Sequence, residues 1–202
     1  MIRFLGKVFS GLSGSRLELH DSKTCAECGS KLARETELAA NWHCPNPDCP
    51  PQILKRVALW ASSEAMDIQG CDAGVITQLV NKGLVRDGAE FYRLRLGELE
   101  ALEGVTKDRA KQLFDSITAS MKREAWRTLY GLGIPNIGAA EAQALCKHVA
   151  SLDALFAMGR ERLSKLDGVA EVVARSLTYW YSDPVNRKLV RRLEKVGVNF
   201  KC

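Results

Sequence analysis

From residue 52 onward, apolar residues recur at helical spacing and almost never alternate, so the pattern predicts helices rather than sheet. The first stretch, 52–60, reads Gln-Ile-Leu-Lys-Arg-Val-Ala-Leu-Trp and predicts an amphipathic helix with Lys55 and Arg56 on its polar side. Beyond it the apolar runs are short, and each is broken by a glycine-bearing turn. The turns read Ile68-Gln69-Gly70-Cys71-Asp72, Leu102-Glu103-Gly104-Val105-Thr106, Ile134-Pro135-Asn136-Ile137-Gly138 and Leu166-Asp167-Gly168-Val169-Ala170. Their centres at 70, 104, 136 and 168 are spaced by 34, 32 and 32 residues. Helical patterns follow them at 73–82, 108–120, 139–148 and 171–180. A fixed period of this length predicts a repeated supersecondary unit, and the Trp, Leu-Gly and Tyr positions of a tetratricopeptide repeat are missing. Trp60, Trp126 and Trp180 fall at apolar helical positions and are read as core.

Ahead of residue 52 the pattern differs. Ile2, Leu5, Val8, Phe9 and Leu12 share one helical face, which could dock on a partner or a membrane surface, or be a frayed remnant. The segment 1–24 is read as an N-terminal extension. It lacks the apolar core and cleavage site of a secretory signal, and no apolar stretch nears the roughly 20 residues that span a bilayer. A reducing cytoplasm is the expected compartment, so cysteines serve metals or cores there.

Four of the seven cysteines read Cys25-Ala-Glu-Cys28 and, fifteen residues later, Cys44-Pro-Asn-Pro-Asp-Cys49. This spacing predicts two knuckles presenting four thiolates to one structural zinc, with no open position for a catalytic water. Gly29 supplies the positive φ that a knuckle needs. Pro45, Pro47, Pro50 and Pro51 are expected to stiffen the second knuckle and keep it out of a helix. The segment 25–52 has too little apolar content for its own core, so metal ligation would supply its folding energy. His43 adjoins Cys44 but is a bystander when four thiolates are at hand, and Trp42 is expected to cover the site. Cys71 and Cys146 read as small core residues, whereas Cys202 has no evident partner.

Composition places the chain among ordinary globular proteins: of 202 residues, 46% are hydrophobic, 26% charged and 7% aromatic. The net charge of +5 is uneven, because residues 184–202 carry six basic residues against Glu194 alone and the remainder sums to zero. Only the C-terminal segment therefore offers a concentrated positive field, which would equally suit a solvated helix face.

The turns, apolar-x-Gly-apolar-Gly between short helices, have the pattern of helix-hairpin-helix motifs. Glycine permits a tight bend, so that amide hydrogens and the next helix N-terminus converge on one point, an arrangement that suits a phosphate oxygen. Contacts of that kind hold a duplex without reading its bases. The second glycine, however, is Asp72, Thr106 and Ala170 in the first, second and fourth turns, and only Gly138 keeps it. Asp72 would repel phosphate but makes a good N-cap, so the first hairpin reads as structural. Candidate nucleic-acid contacts are Gly104, Thr106, Lys107 and Arg109 at the second turn. Asn136 and Gly138 are candidates at the third, and Gly168, Ala170 and Arg175 at the fourth.

The knuckles, the run Cys44-Pro-Asn-Pro-Asp-Cys49-Pro50, the segment Ala65-Met66-Asp67-Ile68-Gln69-Gly70 and the four tandem turns occur in an order that resembles bacterial NAD-dependent DNA ligases. Leu129-Tyr130-Gly131-Leu132-Gly133-Ile134 and Ser151-Leu152-Asp153-Ala154-Leu155 are similar to that family too. The resemblance runs from about Cys25 to Phe200. It implies a mainly α protein: a small four-cysteine zinc finger over 25–52, then a four-repeat helix-hairpin-helix domain over 53–200 that grips duplex DNA across the minor groove. The adenylation domain, oligonucleotide-binding barrel and BRCT domain of those ligases find no counterpart in the sequence.

The expected function is therefore sequence-independent binding of duplex or nicked DNA, cytoplasmic or nucleoid-associated, without catalysis or NAD. Two alternatives remain: a protein-interaction scaffold that has lost DNA binding, and the DNA-binding subunit of a split ligase working with an adenylation domain or another repair protein. Lys165-Leu166-Asp167-Gly168 spells the K-x-D-G of an adenylated lysine, but its Asp and Gly fall in register with the other three turns. Gly131-Leu132-Gly133 has Asn136 where a dinucleotide fingerprint needs glycine.

Overall fold

The computed structural model describes residues 23–34 and 42–202. The amphipathic pattern of residues 2–12 lies outside the described residues. The chain divides into two compact units, Met1–Pro45 and Asn46–Cys202.

In the first unit the Cys25–Cys28 knuckle is a tight turn. Cys25 N–H donates to Ser30 O (2.8 Å), Gly29 N–H donates to Cys25 O (2.9 Å), and Gly29 sits at φ +70°. Ala33 and His43 form an antiparallel bridge through two backbone hydrogen bonds of 2.8 and 2.9 Å. Among the described residues, β structure is limited to such isolated bridges.

The second unit is helical. In chain order its elements are α1 (Pro50–Ala61), α2 (Ala73–Asn81), α3 (Gly88–Phe91), α4 (Leu96–Glu100), α5 (Lys107–Ser120), α6 (Ala125–Gly131), α7 (Ala139–Cys146), α8 (Leu152–Phe156), α9 (Arg160–Leu163), α10 (Glu171–Ser182) and α11 (Pro184–Val196). The four helices expected behind the turns are α2, α5, α7 and α10, with ends displaced by at most two residues, within the fraying of any helix end. The hairpins are thus α1/α2, α4/α5, α6/α7 and α9/α10, with α3 and α8 as connectors inside each successive pair and α11 closing the fold. No described helix is long and apolar enough to cross a membrane.

The prolines keep the second knuckle out of a helix and also start the helix that follows it. Pro50 and Pro51 open α1 at its first two positions, where a missing N–H costs nothing and a fixed φ favours the helical start. The helix begins directly behind Cys49, and the knuckle at 44–49 itself stays non-helical.

Trp60 is the central core side chain, 2% exposed. Two glycines make room for it: a Cβ on Gly88 would lie 2.4 Å from its ring, and one on Gly131 would lie 2.9 Å away. Its polar edge is satisfied through a directed chain. Ser120 Oγ–H donates to Ile117 O (2.7 Å), so Tyr92 O–H donates to Ser120 Oγ (3.1 Å) and Trp60 Nε1–H donates to Tyr92 Oη (3.3 Å). Burial pushes the Tyr92 phenol up to about 12. Arg127 of α6 fastens the chain after α1, donating to the carbonyls of Ser63 (2.8 Å) and Ala65 (3.0 Å). Trp180 and Trp126 are half-buried against the same core, as their spacing predicted.

Candidate metal centre and nucleic-acid interface

One ligand atom from each of Cys25, Cys28, Cys44 and Cys49 lies within 4.8 Å of the other three, and Cys28 and Cys44 are 3.5 Å apart at sulfur. A tetrahedral ion with bonds of about 2.3 Å requires sulfurs roughly 3.8 Å apart, so the donor set fits a thiolate-binding metal. Cys49 is buried at the N-cap of α1, and the other three are half-buried. Four thiolates would fill a tetrahedral coordination shell. His43 is exposed and is not among the clustered ligands. Trp42 lies under two cations, with Arg34 at 4.1 Å and Lys23 at 5.0 Å from its ring centre.

The four turns share one backbone feature. Gly70, Gly104, Asn136 and Gly168 all adopt left-handed φ, at +80°, +71°, +61° and +71°. Each is exposed, and the apolar residue after it (Cys71, Val105, Ile137, Val169) turns toward the core. For Gly104 and Gly168 an added Cβ would meet nothing within 4 Å, so these bends are open to an approaching ligand. Only Asn136, whose short amide tolerates this region, departs from glycine there.

The turns differ at the helix that follows. At the first, Asp72 caps α2 by accepting from Val75 N–H (3.0 Å), which, with the Arg109 guanidinium beside it, holds its carboxyl below the usual range. At the second, Thr106 Oγ1 accepts from Arg109 N–H (3.2 Å), while the Arg109 side chain reaches back to Asp72 at 2.5 Å. Lys107 beside it is exposed and has no ion-pair partner among the described residues. At the third, Gly138 N–H donates to Glu141 Oε2 (3.0 Å), so a carboxylate already sits at the start of α7. At the fourth, Ala170 contributes no side-chain cap, and Glu171 is drawn aside to Arg160 Nε (2.7 Å). Arg175 stands exposed one turn along α10.

Reciprocal contacts pair the hairpins. Gln78, eight residues after Gly70, exchanges two hydrogen bonds with the backbone of Glu103 (3.0 and 2.7 Å). Ser116, twelve after Gly104, accepts from Gln69 N–H (2.7 Å). The second pair uses the same two positions: Ser176, eight after Gly168, accepts from Asn136 Nδ2 (2.8 Å), and His148, twelve after Asn136, bonds Asp167 O (2.8 Å). In both pairs each helix steadies the other's turn. Sequence reasoning missed these contacts because the partners are 19 to 47 residues apart.

The C-terminal charge is partly consumed by structure. Arg192 binds Asp87 and Glu90 around α3, and Arg187 donates to the carbonyls of Tyr181 and Ser182. Lys188, Arg191 and Lys195 remain exposed along α11. Lys165 pairs with Glu161 on the surface at 2.8 Å. Cys202, for which the sequence offered no partner, has its sulfur 2.6 Å from that of Cys146.

The model of a helix-hairpin-helix motif matches residues 127–190, which hold the third and fourth hairpins and the first half of α11. Among curated proteins, a DNA ligase of Rubrobacter xylanophilus is 38% identical over 93% of this chain and 27% of its own length. A DNA ligase of a Synechococcus species is 37% identical over 86% of this chain and 26% of its own length. "DNA ligase 2" of Deinococcus deserti is 36% identical over 87% of this chain and 25% of its own length. The chain thus spans about a quarter of the curated relatives it matches.

Proposed function

Taking the chain as a ligase-like region of cysteine knuckles and paired hairpins, we propose that it binds duplex or nicked DNA through phosphate contacts, without sequence preference and without catalysis of its own. The observation that carries this reading is the set of four outward bends, each a left-handed residue two positions before a helix N-cap. Two of them, the second and fourth, keep a solvent-facing cation and no carboxylate bonded to their amides. The amides of Lys107, Asp108, Glu171 and Val172 have no intrahelical acceptor and stand at positive helix ends, where a phosphate oxygen is stabilised. Gly104, Thr106, Lys107, Gly168, Ala170 and Arg175 form the primary grip. At the third turn Asn136 and Gly138 lie beside Glu141, which makes that bend the weaker contact.

The four cysteines hold zinc, which supplies a structural cross-link and the folding energy that the cysteine-bearing segment 25–52 lacks. Its finger and the hairpin region over 53–200 act as one DNA-holding module in the bacterial cytoplasm. An adenylation domain or another repair protein is the partner that does chemistry on the held nick.

Titrating the full chain into a labelled nicked duplex at two salt concentrations tests the reading. Phosphate clamping predicts affinity that falls steeply with salt, log K declining by about 0.9 per phosphate contacted. Salt-insensitive affinity, or none at low salt, overturns it. Asp72 and Glu141 favour a second reading, a protein-binding scaffold, because both place a carboxylate at a helix start meant for an anion. That reading predicts no binding to either duplex and a stable protein partner.

A further inference from the structure

We propose that Cys146 and Cys202 form a reversible dithiol–disulfide pair, a modification site that a hydroperoxide closes and a dithiol reductant reopens. Their sulfurs, 2.6 Å apart, are inside van der Waals contact. The backbone sets this approach. Segment 200–202 runs antiparallel to 150–152, with Leu152 N–H donating to Phe200 O (2.9 Å), Cys202 N–H donating to Ala150 O (3.1 Å) and a bridge between Ser151 and Lys201. Cys146 ends α7 immediately after the buried Leu145, so both Cα positions are fixed without help from the thiols.

The two cysteines have unequal surroundings, which assigns their roles. Cys202 is exposed and meets the oxidant, whereas Cys146 is half-buried against the core and resolves the intermediate. The Cys202 thiolate attacks the peroxide oxygen, the O–O bond breaks, and sulfenic acid and hydroxide form. The Cys146 sulfur then displaces the sulfenic oxygen: the S–S bond forms, the S–O bond breaks, and water leaves with the Cys146 proton. In sum, two thiols and hydrogen peroxide give a disulfide and two waters. Loss of water around the two touching sulfurs raises both thiols above their ordinary range, although Cys202 as a whole is exposed. The attacking thiolate is therefore scarce near neutrality, and closure accelerates with rising pH.

The bond would enclose residues 146–202, which carry hairpin α9/α10 and α11. Cross-linking that loop restricts the unfolded chain and so raises the stability of this half of the helical unit. A reducing compartment keeps the pair open, and an oxidative episode closes it.

The test uses the zinc-loaded full chain, treated with equimolar hydrogen peroxide, then alkylated and peptide-mapped. The proposal predicts one linked peptide pair joining Cys146 to Cys202, lighter by two hydrogens and reversed by dithiothreitol. It also predicts a melting midpoint several degrees above that of the reduced chain. Cys202→Ser, a change at an exposed site, abolishes both effects. Alkylated Cys146 beside a Cys202 carried to sulfinic acid, or Cys202 linked between two chains, overturns the proposal.

Discussion

Arg109 of α5 holds Asp72, the N-cap of α2, with Nη2 2.5 Å from Oδ2. Both side chains are substantially exposed, so the pair is worth about 0–1 kcal/mol and its importance is positional. It draws the Arg109 cation away from its own turn toward the carboxylate of the first hairpin. Asp72→Asn keeps an acceptor for the cap and removes the charge. Stability should change by less than about 1 kcal/mol. Duplex affinity should rise several-fold, with a salt slope steeper by about one. Fluorescence anisotropy at several salt concentrations measures both; unchanged affinity and slope would remove Arg109 from the phosphate contacts.

Gly131→Ala would drive a methyl to 2.9 Å from the Trp60 ring, between two helices that pack directly on one another. Overpacking of this kind costs about 1–3 kcal/mol. Urea unfolding should show a lower midpoint at unchanged slope. The same substitution at Gly97, where a Cβ meets nothing within 4 Å, should be nearly silent.

Tyr92 gives the fold an alkaline limit. Its folded pKa near 12 lies above its ordinary 10, so the folded state favours the protonated phenol. The contribution is full below pH 10 and is lost as pH rises toward 12, about 3 kcal/mol at one pKa unit per 1.4 kcal/mol. Denaturant melts from pH 9 to 12 should show that decline. Tyr92→Phe should flatten it, at a cost of about 1–3 kcal/mol at neutral pH because Trp60 Nε1–H loses its acceptor.

Much of this architecture was legible in the sequence, because a helix-hairpin-helix turn is a local event. Four residues with left-handed φ, the four helices behind them and the cysteine spacing are all written within short windows. Asp72 as an N-cap was equally readable. The structure adds what requires chain reversal: Arg109 captured by a carboxylate 37 residues away, Arg192 drawn to α3 from 105 residues away, and Cys202 against Cys146. Glu141 stands at capping-box spacing from Gly138, but without a hydroxyl at the N-cap the signature is only half present in the sequence. Pro50 and Pro51 were legible as residues that stiffen the knuckle before them; that they also open α1 follows from a helix tolerating proline in its first turn.

Removing metal should separate the two parts of the chain's stability. A strong chelator should release one zinc per chain and abolish amide protection around Cys25–Gly29, where few apolar contacts remain to hold the turn. The helices from α2 onward have their own buried core and should keep their circular dichroism. Retained protection around Cys25 after complete metal loss would contradict a metal-dependent finger.

The phosphate grip is tested most directly by reversing its two unpaired cations together. Lys107→Glu with Arg175→Glu alters exposed side chains without ion-pair partners among the described residues, so the fold should be unchanged by circular dichroism. Binding to a nicked duplex, followed as a function of salt, should weaken by at least about tenfold and lose about two units of log–log slope. Equal affinity and equal slope in the double variant and the parent would contradict the account.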